Sequence, residues 1–301
     1  MCRVDELRQA VLAHNDRGAS DLRAELAARG VIAINLLSSP GSGKTALLEA
    51  ELRLAGERGV PVAALTADLA TDNDATRLAR AGAPVKQVLT DGLCHLEAAM
   101  VRGQLTGWLP TRTRLLFVEN VGNLVCPASY DLGESLRVAL ASVTEGEDKP
   151  LKYPSAFGLA NLVVLTKTDL AEAVEFDEPA FLANVRRVNP GVEVLFTSAR
   201  TGRGVGDLLA RALAVLDGGS VHTPVMARHA ANGHGHEHGH GHGHGHSGGS
   251  PDHGHRNGHD HAHPHPHPHQ HEYGQGHEHL AHAHEDDHGF DRWPAPAGEP
   301  S

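Results

Sequence analysis

Ser38-Ser-Pro-Gly-Ser-Gly-Lys-Thr45 is the segment of this chain best equipped to do chemistry. It follows a short apolar run and opens a helical pattern, the setting a phosphate-binding loop requires. The backbone amides of Gly41, Ser42, Gly43, Lys44 and Thr45 are placed to face phosphate oxygens. The glycines allow close approach, and the helix N-terminus favours an anion. Lys44 is expected to reach the β- and γ-phosphates and the Thr45 hydroxyl to bind Mg²⁺. Glu119-Asn-Val-Gly122 follows a second apolar run, Leu115–Val118. A carboxylate at a strand end with glycine three residues on has the layout of a γ-phosphate sensor. Glu119 would hold Mg²⁺ or its water, and the Gly122 amide would meet the phosphate.

Thr166-Lys-Thr-Asp169 follows another apolar run and resembles the Asn/Thr-Lys-x-Asp base-reading motif of GTPases. Guanine offers two donors, N1–H and the N2 amine, which the Asp169 carboxylate can accept together. Adenine offers neither. The Lys167 stem is suited to cover the base. Thr197-Ser-Ala199 matches the loop that packs near the base, through Ser198 and Ala199. This order of motifs favours GTP over ATP. Asp68, in the acid-rich loop Thr66–Asp74, is a candidate for Mg²⁺ support or for positioning the attacking water, with Asp72 and Asp74 as rivals. No arginine finger or catalytic glutamine is apparent, which predicts slow turnover.

Cys94-His95 and Cys126 add a different chemistry, because thiolate and imidazole suit Zn²⁺ or Ni²⁺. Three ligands are too few for a closed structural site. They imply an open position, a bound water or sharing across a dimer. Spacing alone leaves buried cysteines as the alternative.

Four segments together resemble the HypB family, of the SIMIBI class of P-loop NTPases. They are Ser38–Thr45, Gly92-Leu-Cys-His-Leu96, Glu119-Asn-Val-Gly-Asn-Leu-Val-Cys-Pro127 and Glu145-Gly-Glu-Asp-Lys-Pro-Leu-Lys-Tyr-Pro154. The likeness spans roughly residues 1–218, and Ser38 in place of glycine fits the family pattern. It implies a GTPase that helps insert nickel into [NiFe]-hydrogenase. The implied metal site is Cys94, His95 and Cys126, holding Ni²⁺ or Zn²⁺ at or near a homodimer interface. The implied partners are a HypA-type nickel chaperone and the hydrogenase large-subunit precursor. Family dimer contacts transfer to Leu170 and Val174. The cysteine-rich N-terminal nickel motif of some members is reduced here to Cys2, and the histidine-rich stretch follows the G domain rather than preceding it. The related urease-type GTPase, or a passive nickel store with a vestigial G domain, stands as the alternative.

The elements that position these residues alternate along the chain. Apolar runs at 31–37, 60–66, 115–118, 162–165 and 192–196 read as buried strands. Helical patterns occupy 4–29 and 44–58, with others around 74–81, 93–102, 133–140, 179–187 and 204–216. In 4–29, Leu7, Val11 and Leu12 form an apolar side that Leu22 and Leu26 continue. The reading is an α/β P-loop fold, a mostly parallel sheet covered by helices on both faces. Residues 1–229 form the GTPase domain with its N-terminal helix.

Residues 230–301 are read as a disordered tail, lacking branched aliphatics apart from Leu280. Of the 25 histidines among 301 residues, 22 fall between His229 and His288. His234, His236, His238, His240, His242, His244 and His246 stand at every second position, a polyvalent Ni²⁺ binder. The net charge of −11 comes mostly from this tail. No basic surface for nucleic acid is expected, nor a membrane span, and the N-terminus has no signal-peptide pattern. Three cysteines make no disulfide framework, which favours the cytoplasm.

Overall fold

A computed structural model describes residues 3–68, 73–90 and 92–227. Seven strands form one sheet: β1 (Ile32–Leu37), β2 (Val62–Asp68), β3 (Val85–Leu89), β4 (Leu115–Glu119), β5 (Leu136–Ser142), β6 (Leu162–Thr166) and β7 (Glu193–Phe196). Their order is β3-β2-β4-β1-β5-β6-β7, and every pairing is parallel. Parallel strands need crossover helices, and these cover both faces.

The packing follows the two-residue period of the strands. Ile34, Leu36, Leu115, Phe117, Leu136 and Val138 point to one face, where they meet Leu47, Leu48 and Leu52 of α2 (Lys44–Glu57) and Leu208 and Leu209 of α8 (Asp207–Leu216). Ala33, Leu116 and Val118 point the other way, toward Leu22 and Leu26 of α1 (Arg3–Ala28) and Val101 of α4 (Ala98–Leu105). A third cluster joins Ala139, Ala141 and Val163 to Phe157 of α6 (Pro154–Gly158) and Phe181 of α7 (Glu178–Val188). The remaining helices are α3 (Asn73–Ala79) and α5 (Lys149–Lys152). No described helix is long and apolar enough to cross a membrane.

Several sequence expectations need correction. Residues 133–140, read as helical, contain most of β5. Leu, Arg and Ala favour helix locally, but the period-two burial between β1 and β6 prevails. β3 gave no apolar signal because it is an edge strand with only Val88 fully buried. The helix expected at 93–102 starts at Ala98, leaving Cys94 and His95 in the loop before it. The apolar side expected of α1 is buried at Leu22 and Leu26, whereas Leu7 and Val11 stay exposed on its first turns. The tail lies outside the described residues.

A buried ion pair ties the loop that carries Cys126 to the sheet. Glu134 accepts Arg137 Nε at 2.6 Å and the Leu132 amide at 2.7 Å, while Arg137 donates to the Ala128 and Tyr130 carbonyls, each at 3.1 Å. Burial pushes the Glu134 carboxyl up, but the Arg137 charge and the hydrogen bonds outweigh it and hold the pKa at about 2. A depressed carboxyl stabilises the fold above its unfolded value of 4.5, and that contribution fades as pH falls toward 2. Glu134→Gln strands the Arg137 charge, so it should cost about 3–5 kcal/mol at pH 7. The deficit should shrink at pH 3, measured by urea unfolding. Equal deficits at both pH values would refute the assignment.

Candidate functional site

The carboxyl ends of the central strands meet above the sheet, where α/β proteins place their ligands. The loop after β1 turns into α2 through Gly43, whose φ of 91° is the left-handed conformation glycine adopts freely. That turn sets Lys44 and Thr45 at the head of α2, facing the end of β4. The Thr45 hydroxyl donates to Glu119 Oε1 at 2.5 Å, Thr66 donates to Oε2 at 3.3 Å, and Lys44 Nζ lies 3.8 Å from Oε1. Burial pushes the Glu119 carboxyl up, and Asp74 adds to it; Lys44 and the two threonines oppose this. A divalent cation between Thr45 and Glu119 would relieve that charge, so the donor set fits Mg²⁺.

A cavity of about 500 Å³ opens in front of these groups, walled by residues 38–46, Asp74, Arg77, Glu119 and Gly122. Ser42 Oγ is buried there without a hydrogen-bond partner, an orphan that a phosphate oxygen would satisfy. Gly122 presses on the phosphate loop, since a Cβ there would sit 3.3 Å from Pro40. Asp68 ends β2, but its side chain lies outside the described residues, as does Asp72. Of the three candidate acids, Asp74 is the one described at the cavity wall.

A second cavity, about 210 Å³, adjoins the first and is lined by Leu47, Lys167, Asp169, Leu170, Ser198 and Ala199 among others. Lys167 takes a left-handed φ of 55° and donates to the Gly41 carbonyl at 2.7 Å, which joins the two cavities. Ser198 Oγ donates to Asp169 Oδ1 at 2.5 Å and Arg200 Nε to Oδ2 at 2.7 Å; these bonds hold the Asp169 carboxyl below its ordinary range. Arg200 was not anticipated, although it directly follows Thr-Ser-Ala. Val174 is exposed, while Leu170 belongs to the pocket and the core beside it.

The third region begins seven residues beyond Glu119. The Cys126 thiol raises the Cys94 pKa through a hydrogen bond, with burial adding to it, so the two sulfurs are neighbours. Cys94 Sγ lies 3.8 Å from His95 Nδ1, and the His95 ring stacks on Tyr130 at 3.9 Å. His95 Nε2 is buried without a hydrogen bond; Glu97 Oε1 is 3.6 Å away. A cavity of about 330 Å³ is lined by His95, Cys126 and Tyr130 together with Val11 and Leu12 of α1. No group of three or more His, Cys, Asp or Glu side chains among the described residues converges as a finished metal cage. The two sulfurs are brought together, and the imidazole nitrogen that faces Cys94 is Nδ1, while the unpartnered Nε2 is turned toward Glu97.

A parallel sheet with a phosphate loop at the head of its first crossover helix defines a P-loop nucleotide-binding protein. Residues 32–196 match the family described as CobW/HypB/UreG, nucleotide-binding domain. The hydrogenase maturation factor HypB of Azotobacter vinelandii is 50% identical over 208 residues, 69% of this chain and 68% of that protein. The HypB of Escherichia coli K12 is 47% identical over 208 residues, 69% and 71% of the two chains. Among solved structures, HypB of Helicobacter pylori in complex with nickel aligns with a TM-score of 0.64 at 34% identity, covering 70% of this chain and 99% of that one. The chain belongs to the CobW/HypB/UreG family, within its HypB branch, and is a GTPase.

Proposed function

We propose that this GTPase is a nickel metallochaperone for [NiFe]-hydrogenase maturation, its nucleotide cycle coupled to metal binding and transfer. The observation that carries the reading is the single segment from Glu119 to Cys126. Its first residues face the phosphate cavity, with Gly122 against Pro40, and its last thiol touches Cys94. A change at the γ-phosphate therefore acts on the backbone that holds the thiol. The nickel-bound HypB relative supports nickel as cargo for the Cys94, His95 and Cys126 site; the same donors also suit Zn²⁺.

In this reading Lys44 and the amides of residues 41–45 bind the phosphates, and Gly122 senses the γ-phosphate. Thr45 and Glu119 hold Mg²⁺, with an acid of the 68–74 segment in support. When bound, Mg²⁺ would supply charge neutralisation to the phosphates. Asp169 selects guanine, with Lys167, Ser198 and Ala199 around the base. Residues 1–229 act as the GTPase domain and 230–301 as a nickel-binding tail. The protein works in the cytoplasm as a homodimer with a HypA-type chaperone, on the hydrogenase large-subunit precursor. GTP turnover and bound nickel, measured on one purified sample, test the reading. Nickel without turnover would instead describe a store.

Removing residues 230–301 should lower total nickel capacity several-fold and leave GTP hydrolysis unchanged, because every nucleotide motif precedes residue 200. The full-length capacity should fall as pH drops through about 6.5, where imidazole takes up a proton and loses its ligand lone pair. Equilibrium dialysis at pH 7.5 and 5.5 measures both effects. Equal capacity of the two chains would end the storage role.

A further inference from the structure

The wall of the phosphate cavity holds a cation that the reading above leaves without work. Arg77 stands on α3, one turn beyond Asp74, and both residues line the cavity with Lys44 and Glu119. Arg77 Nε donates to Glu49 Oε2 at 2.6 Å, and Glu49 lies on α2 one turn beyond Thr45. The pair is half open to solvent, with side-chain exposures of 47% and 28%.

The charge balance of the cavity sets what this arginine can do. Lys44 stands beside Glu119, and Asp74 adds a second negative charge near that buried carboxyl. A triphosphate brings several more. In hydrolysis the water oxygen bonds to Pγ and the bond from Pγ to the β–γ bridging oxygen breaks. The electron pair leaves with GDP, and the water protons end on the inorganic phosphate and the medium. Negative charge spreads over the γ-oxygens and the bridge as this happens. A guanidinium fork matches paired phosphate oxygens in a way an ammonium does not. An ion pair as exposed as Arg77–Glu49 contributes little to stability, so exchanging Glu49 for phosphate is an easy move.

We infer that Arg77 is a catalytic residue supplied in cis, donating to the γ-phosphate oxygens during hydrolysis, and that Glu49 holds it back until GTP arrives. The inference rests on the GTPase reading and adds a residue and a restraint to it. The two partners must then act in opposite directions. Losing Arg77 removes charge stabilisation from the reaction, whereas losing the Glu49 charge frees the guanidinium. A purely structural ion pair would make both losses harmful alike.

Single-turnover GTP hydrolysis with Mg²⁺ on the full chain separates these outcomes. Arg77→Ala should slow the step by about a thousandfold or more, the range in which arginine fingers act, while GDP affinity stays within about threefold. Arg77→Lys should recover only a small part, since it lacks the fork. Glu49→Gln should hydrolyse several-fold faster than the parent. Calorimetry with GDP and aluminium fluoride gives a readout apart from turnover: Arg77→Ala should lose the gain in affinity that fluoride confers on the parent. GDP binding also reports that each variant is folded. An Arg77→Ala rate within threefold of the parent, or a Glu49→Gln rate as slow as Arg77→Ala, overturns the inference. A parent chain that binds GTP but never hydrolyses it overturns the GTPase reading itself, a distinct failure.

Discussion

Asp169→Asn should lower GTP affinity by at least about a hundredfold and raise affinity for xanthosine triphosphate. The carboxylate can accept from both guanine donors, and a buried donor left unmatched is among the strongest sources of discrimination in a binding site. Asparagine keeps one acceptor and gains an amine, which suits the carbonyl oxygen that xanthine carries where guanine has its N2 amine. Asp169 lines the cavity of about 210 Å³ with Ser198 and Ala199, so the change alters recognition rather than the sheet beneath it. Fluorescence titration with both nucleotides measures the switch. An unaltered preference for GTP would remove Asp169 from base reading.

Cys126→Ala should abolish the stoichiometric nickel or zinc binding of a chain ending at residue 229, with GTP affinity kept within about threefold. The thiol is one of two adjacent sulfurs, and its loss would leave the proposed site with a lone Cys94 and one imidazole. The Cys94 thiol is held protonated beside Cys126, so metal must expel protons as it binds. Calorimetry in buffers of different ionisation enthalpy should show that release in the parent and lose it in the variant. Tight metal binding that survives the substitution would place the site elsewhere.

Much of this architecture is legible in the chain because its chemistry is local. The phosphate loop works through the backbone and side chains of eight consecutive residues. Asp169 and Ser198 follow strands whose apolar runs announce them. β5 is not legible in the same way, because Leu136–Ser142 is helix-prone by residue type and becomes a strand only when β1 and β6 flank it. Arg77 is hidden for a related reason. Its meaning comes from Glu49, 28 residues earlier, and from the cavity that the two helices wall together. The thiol pair is intermediate: residue types announce a soft metal, but the neighbouring sulfurs and the stacking of His95 on Tyr130 depend on two distant loops.

Arg200 and Ser198 each give one N–H or O–H to one oxygen of Asp169, the same two-donor arrangement a guanine edge would make. Both donors come from the loop that follows β7, so that loop fixes the direction in which the Asp169 carboxylate points. In the proposed reading, base selection is therefore shared between two strand ends: β6 brings the carboxylate and β7 brings the residues that aim it. A substitution at Ser198 or Arg200 then disturbs guanine recognition with Thr166–Asp169 left intact.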